Sequence, residues 1–344
     1  MTQKALHIYG VTAYNAGDNV LGIASKKWFS EFISNNNLAW TTESCRNDFN
    51  TQKKINWINS FDYLLIGGGG LFLPDTNPNK VSCWQWAIDK NLIRQIQIPI
   101  YVCAVGYNLF YNQSVTMPNR KNNKKDQSRW LIFKENVETL IEKSAYFSLR
   151  HNGDIEELKK IIKPSLHKKI QFQFCPTINY AKQIMPKPNT QKNLWAYEIK
   201  DDRQWRRYHK VGMDSFYSQL KDFIIYIKNN RPEISQCLLL HEAKNVSFKN
   251  YLNSHGISLP VISNSNISEE QVVKNLSKID TLFCMAGHSQ MIGSAVSARV
   301  ISLISHDKLK YFLEDTESYT YENYVDLNHD DVYHKLKKIT QHDY

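Results

Sequence analysis

Short apolar runs rich in Val, Ile, Leu and aromatic residues alternate along the chain with longer amphipathic segments. Runs with a period near two residues read as strands, and segments with a period near 3.6 read as helices packed against them. Their regular alternation is the pattern of βα units around a parallel sheet. In the first half the pattern predicts strands near 4–10, 38–43, 62–68, 99–106, 145–150 and 170–176, with helices over 18–34, 82–96, 129–143 and 153–162. After residue 192 the same grammar restarts, with strands near 193–199, 235–242, 259–263, 281–286 and 299–305 and helices over 211–229, 268–278, 288–297 and 308–315.

Between the halves lies Ile184-Met185-Pro186-Lys187-Pro188-Asn189-Thr190-Gln191-Lys192, a polar stretch whose two prolines can continue neither element. The reading is therefore α/β, with two Rossmann-like domains facing a central cleft: residues 1–185, residues 186–320, and a C-terminal helix within 321–344. That helix, foreshadowed by Asp330-Asp331-Val332-Tyr333-His334-Lys335-Leu336-Lys337-Lys338-Ile339, is expected to pack back on the first domain. A chain of 344 residues suits this division.

Composition narrows the picture. The hydrophobic fraction of 42% and charged fraction of 22% are those of an ordinary globular protein. No apolar signal core precedes the first strand, and no stretch approaches the roughly 18 apolar residues of a membrane span, which predicts a cytoplasmic protein. Six cysteines without C-x-x-C spacing read as buried thiols. The net charge of +10 attracts anions. Its lysines and arginines are dispersed and accompany no helix-turn-helix, RNP or zinc-finger pattern, so nucleic acid is not the expected partner. A basic, asparagine-rich segment, Tyr111 to Arg129, reads as a surface loop that is either a solvated insertion or a lid over an anionic ligand.

Four segments could carry chemistry. Asn15-Ala16-Gly17-Asp18 joins the first strand to its helix, where Gly17 allows a tight turn and the helix amides can meet an anion or a sugar hydroxyl. A strand over 62–66 runs into Gly67-Gly68-Gly69-Gly70, glycines that imply positive φ or close backbone approach to a ligand. Neither the dinucleotide fingerprint nor a P-loop is present there. Ser148-Leu149-Arg150 delivers an arginine at the carboxyl end of a strand; it can clamp a phosphate or carboxylate, or pair with Asp154 or Glu156. Finally Ala286-Gly287-His288-Ser289 hands a late strand over to a helix, offering amides for an anion and a histidine that exchanges protons near neutrality. His241 ends another strand in the same way. No metal-ligand spacing is seen.

In order and spacing these segments resemble the polysaccharide pyruvyl transferase family, whose members look like glycosyltransferase-B (GT-B) enzymes in fold. The resemblance spans nearly the whole chain: Asn15 to Asp18, Asp62 to Gly70, Val102 to Gly106, Ser148 to Arg150, His288 in its strand-to-helix turn, Ile301 to Lys308, and Phe312 to Asp315. It implies transfer of a pyruvyl group from phosphoenolpyruvate to two hydroxyls of a hexose in a lipid-linked or nascent bacterial surface glycan, giving a cyclic ketal. It implies no other cofactor, and action at the cytoplasmic face with peripheral membrane contact. On this reading His288 and Arg150 are catalytic. Arg150, Gly287, His288, Ser289 and Lys308 hold the donor, whereas Asn15, Gly17, Asp18, Gly68, Gly69, Gly70 and His241 line the acceptor side. Relatives commonly carry an arginine two positions before the histidine, where this chain has Ala286. Arg150, Lys308 or Arg299 must then compensate, or the chain is a GT-B glycosyltransferase using a nucleotide sugar, or a non-catalytic scaffold of glycan assembly.

Overall fold

A computed structural model describes residues 2–11, 15–74, 77, 79–107, 124–186, 193–296 and 298–341. The basic segment at 111–123 and most of the predicted linker, 187–192, lie outside the described residues. The chain divides into two compact units. The first runs to Pro176, and the second begins at Thr177 and also claims the start of the first helix up to Val20.

In the first unit the order is β1 (Gln3–Tyr9), α1 (Ala16–Phe32), β2 (Leu38–Ser44), α2 (Gln52–Ile58), β3 (Tyr63–Phe72), α3 (Lys90–Arg94), β4 (Ile100–Tyr107), α4 (Lys124–Lys143), β5 (Ser144–Leu149), α5 (Asn152–Lys159) and β6 (Ile170–Phe172). The strands form one parallel sheet in the order β2-β1-β3-β4-β5-β6. Because both faces of the sheet are covered, its central strands are apolar almost throughout. Leu64 and Ile66 point into the larger core with Phe133, Val137 and Leu140 of α4, while Leu65 between them meets Phe29 of α1.

The second unit holds α6 (Thr177–Ile184), β7 (Leu194–Glu198), α7 (Gln204–Arg207), α8 (Met213–Asn230), β8 (Ser235–Leu240), α9 (Ser247–Ser254), β9 (Val261–Ser263), α10 (Glu269–Leu276), β10 (Thr281–Cys284), α11 (Gly287–Ala295), β11 (Arg299–Ile304), α12 (Asp307–Asp315), β12 (Tyr324–Asp326) and α13 (Val332–Gln341). Its parallel sheet has the order β12-β11-β10-β7-β8-β9. The first strand, β7, is central, with β8 and β9 on one side and β10 to β12 on the other. Strand order therefore reverses between β7 and β10, which leaves a crevice at their carboxyl ends where such sheets place ligands.

Three expectations need correction. The helix expected over 82–96 shrinks to α3, because Trp84 and Trp86 alternate into the core and Ser82 Oγ donates to the Trp86 carbonyl at 2.6 Å, so that the helix begins only after Asp89, whose side chain caps it. The unit boundary falls at Pro176 rather than after 185, because Ala181, Tyr180 and Ile184 of α6 pack with Ile292 of α11 and with Val296 just beyond it. The C-terminal helix packs within the second unit instead of on the first. Val332, Leu336 and Ile339 of α13 share a core with Phe216, Leu220 and Phe223 of α8, and Gln219 Oε1 accepts the Val332 amide at 2.7 Å. Among the described residues no helix is long and apolar enough to cross a membrane, and all six cysteines are buried and unbridged.

Candidate functional site

In the second unit the carboxyl edge of the sheet gathers polar groups that the rest of the core excludes. β7 ends in Glu198 and leads to Lys200; β8 leads to His241 and Glu242; β10 leads through Ala286 into α11; β11 leads through Ser305 and His306 into Lys308. Every one of these except Lys308 is buried. Burial of so many polar groups in one place requires that they satisfy one another.

They largely do. Lys200 Nζ pairs with Glu242 Oε1, and Lys244 reaches Glu242 Oε2 at 2.9 Å. Although burial alone would raise the Glu242 carboxyl, the charge of Lys200 and the hydrogen bonds from Lys200 and Lys244 hold it below its ordinary value. Arg207 bridges two elements, donating to Asp202 Oδ1 at 2.7 Å and to Ser305 Oγ at 3.2 Å. Burial opposes the ionised Asp202 too, yet Arg207, Lys200 and Arg203 keep its carboxyl far below the usual range.

The start of α1 belongs to this cluster. The Gly17 amide donates to His241 Nε2 at 2.9 Å, and Asn15 Oδ1 shares the same N–H at 3.1 Å. A backbone N–H has a fixed direction, so Nε2 is assigned as the bare nitrogen, and Nδ1–H then donates to Ser289 Oγ at 3.1 Å. Burial, reinforced by Lys200, pulls the His241 ring down to about 3. His241 is thus a neutral, fully engaged imidazole that ties the Asn15–Asp18 segment to the first turn of α11. Beside it, His288 Nδ1 stands 3.7 Å from Asp18 Oδ1. A Cβ on Gly17 would lie 2.6 Å from His288 Cβ and Nδ1 and 2.7 Å from His241 Nε2, so no residue but glycine fits between the two rings.

α11 opens without a side-chain cap, since Ala286 has no oxygen to offer. Its register is fixed from behind: Gln290 Nε2 donates to Ser302 Oγ at 2.8 Å and to the Leu309 carbonyl at 2.9 Å. The Lys308 stem crosses the same helix end, its Cδ and Cε 3.3 Å from where a Cβ on Gly287 would stand. An uncapped helix N-terminus and a lysine stem across it are chemically suited to an anion, and His288 stands one residue into the helix beside them. Arg299 opens β11, at the amino edge of the sheet, and cannot supply the charge missing at 286.

The structure thus brings together Asn15, Gly17, Asp18, His241, Gly287, His288, Ser289 and Lys308 in one unit. Arg150 and Gly68 to Gly70 belong to the other. The glycines do not terminate their strand: β3 continues to Phe72, with an irregularity in its pairing after Gly69. A Cβ on Gly67 would lie 2.6 Å from the Cys103 carbonyl oxygen, and one on Gly68 would lie 3.2 Å from that of Ala104, so close approach to β4 accounts for both. Arg150 is 2% exposed, its Nε 4.0 Å from Asp154 Oδ2 and its guanidinium filling the space that a side chain on Gly106 would need. Glu198, Lys200, Glu242 and Arg207 escaped the sequence reading. For Glu198 the signal on offer was a carboxylate ending an apolar strand run, Leu194-Trp195-Ala196-Tyr197. Among the described residues no three His, Cys, Asp or Glu side chains gather to hold a metal ion.

No protein-family model matches the chain, and no curated protein matches it. Solved structures do. MnaA of S. aureus in complex with UDP is 11% identical, with a TM-score of 0.55 over 98% of this chain and 88% of that one. The UDP-GlcNAc 2-epimerase of Methanocaldococcus jannaschii, in complex with UDP-GlcNAc and UDP, is 10% identical with a TM-score of 0.53, covering 98% and 92%. An α-glucosyltransferase in complex with UDP and DNA is 11% identical with a TM-score of 0.50, covering 98% and 90%. Two parallel six-stranded sheets with flanking helices give this chain the GT-B-like two-domain α/β fold of these proteins.

Proposed function

We propose that the chain is a transferase of glycan assembly whose second unit binds a phosphorylated donor at the N-terminus of α11, and that the donor is phosphoenolpyruvate. The observation that carries this reading is the meeting of Asn15–Asp18 with Gly287–Ser289. These two segments of the pyruvyl-transferase resemblance are linked through His241, which accepts the Gly17 amide and bonds to Ser289 Oγ, and through the contact of His288 with Asp18. The α11 amides and Lys308 receive the donor's phosphate, and Lys308 takes over the charge missing at Ala286. His288, oriented by Asp18, is the proton carrier. In the reaction His288 gives a proton to C3 of the enol as one sugar hydroxyl bonds to C2 and returns its own proton to the imidazole; a second hydroxyl then bonds to C2 as the C2–O bond to phosphate breaks, closing the ketal, and its proton leaves with the phosphate.

A second reading has its own support. The GT-B-like proteins above were captured with UDP or a UDP-sugar, and Ala286 removes a cation that the resemblance leads one to expect. On that reading α11 holds a diphosphate. Calorimetric and thermal-shift titrations with phosphoenolpyruvate, UDP and UDP-GlcNAc separate the two, because only a ligand of the native state raises its stability. Stabilisation by phosphoenolpyruvate that is lost in Lys308→Ala, followed by phosphate release when a hexose glycan is added, supports pyruvyl transfer. Binding confined to UDP or UDP-GlcNAc overturns it in favour of nucleotide-sugar chemistry. Phosphoenolpyruvate binding without turnover on any glycan leaves only the scaffold role.

A further inference from the structure

Glu198 is the group at this edge that the proposed chemistry does not use. It is wholly buried at the carboxyl end of β7, in register with Cys284 of β10, at the point where strand order reverses. Its Oε2 accepts the Ala286 amide at 3.1 Å, and its carbonyl accepts the Met285 amide at 3.2 Å, so β7 holds the chain just before α11 from two sides. Its Oε1 has no hydrogen-bond partner among the described residues. A buried carboxylate oxygen left bare is costly, whereas a neutral carboxyl there is tolerated.

The charges facing it are two cations and a second carboxylate. Lys200 follows on its own strand, Arg207 comes from α7, and Glu242 follows β8; the Cys284 thiol beside it is pushed well up by burial and stays neutral. Arg207 is already committed to Asp202, and Lys200 to Glu242. One lysine therefore serves two carboxyl groups. Burial raises the Glu198 carboxyl to about 7, against the opposing pull of Lys200, the Ala286 amide and Arg207.

We propose that Glu198 is the positioning acid of the α11 anion site, holding the helix by the Ala286 amide and taking up a proton when an anion settles there, which removes a negative charge from behind the helix end. This rests on the reading that α11 receives a phosphorylated ligand. An ionised Glu198 repels that ligand and competes with it for the helix dipole, and a neutral one does not.

The test is calorimetry of the full chain with phosphoenolpyruvate, and with UDP as a second probe, at pH 8 in two buffers of different ionisation enthalpy. Wild type takes up about one proton per ligand bound, and its affinity falls up to about tenfold per pH unit above neutrality. Glu198→Gln loses that uptake and binds with a flatter pH profile, whereas Glu198→Asp keeps proton uptake with a weakened grip on Ala286. Binding by wild type without proton uptake, or equal uptake by wild type and Glu198→Gln, overturns the proposal alone. Binding of neither probe at any pH overturns the anion site and the proposal with it.

Discussion

A methyl group at residue 17 is the smallest change that should dismantle the site. In an unobstructed helix, Gly→Ala gains about 1 kcal/mol from propensity. At Gly17 the added Cβ meets His288 Cβ and Nδ1 at 2.6 Å and His241 Nε2 at 2.7 Å, well inside the separation that real Cβ contacts show. The rings must withdraw by about 1 Å to restore ordinary contact. They have little freedom to do so: His241 is buried and bonded to Ser289, and His288 is 10% exposed beside Asp18. Overpacking costs about 1–3 kcal/mol, and breaking the Gly17–His241 hydrogen bond adds about 1 kcal/mol. Gly17→Ala is therefore expected to lose about 1–3 kcal/mol in urea unfolding, net of propensity, together with most of its affinity for phosphoenolpyruvate or UDP. Gly10→Ala is the matched control, since the nearest atom to its Cβ is Gln85 Oε1 at 3.9 Å. If the two variants unfold alike and bind alike, the convergence of Asn15–Asp18 on the histidines is not what organises the site.

Acid stability tests the buried titrating groups. Burial lowers His7 and His241 from 6.5 to about 3 and His306 well below 6.5, so the unfolded chain binds their protons first and stability falls as pH drops below 6.5. Glu198, raised from 4.5 to about 7, opposes them between those values, because there the folded chain holds the extra proton. The net of two protons amounts to roughly 3 kcal/mol per pH unit between pH 6 and 5, rising to roughly 4 in Glu198→Gln, by urea titration at each pH. Arg150→Ala removes the cation beside the buried Asp154 and should cost about 3–5 kcal/mol, whereas Arg150→Met with Asp154→Leu should recover much of the loss. Equal loss in the single and double variants would mean the guanidinium acts by packing against Gly106. Lys308→Ala should weaken phosphoenolpyruvate binding about tenfold and leave unfolding in urea within about 0.5 kcal/mol of wild type, and a flat salt dependence of wild-type binding would count against its role.

The central strands were legible because each is a short apolar run buried on both faces, whereas the three-residue edge strand β12, Tyr324–Asp326, was missed. Tyr63-Leu64-Leu65-Ile66 and Thr281-Leu282-Phe283-Cys284 each left one assignment open to the periodicity. Helices failed where tertiary contacts replaced periodicity. Trp84 and Trp86 lie in a segment that reads as amphipathic helix, but both indoles are needed in the core, and Asn136 of α4 receives the Trp84 Nε1–H at 2.7 Å. α6 and α9 were missed because each is eight residues long and buries only two of them. The histidines and the Asn15–Asp18 turn could be picked out as candidates, being polar residues at element ends. That the turn belongs with the second unit could not, because the assignment depends on contacts with residues far along the sequence: Ala16 and Val20 share a core with Ala181 and Ile292, and the Gly17 amide donates to His241.

On the proposed function, the charge balance at α11 accounts for an alanine at 286. An arginine there would place its cation on the residue whose amide Glu198 holds, and would be drawn to that carboxylate before it met a ligand. Here the cations come from elsewhere. Lys308 approaches from α12 across Gly287, where the lack of a side chain lets its stem lie against the helix end, and Lys200, which follows β7, is paired with Glu242 and acts on Glu198. Positive charge so arranged is partly masked until a carboxyl gives up its claim. On the proposed role of Glu198 the field of the site rises when an anion and a proton enter together, a response that a cation fixed at position 286 would not give.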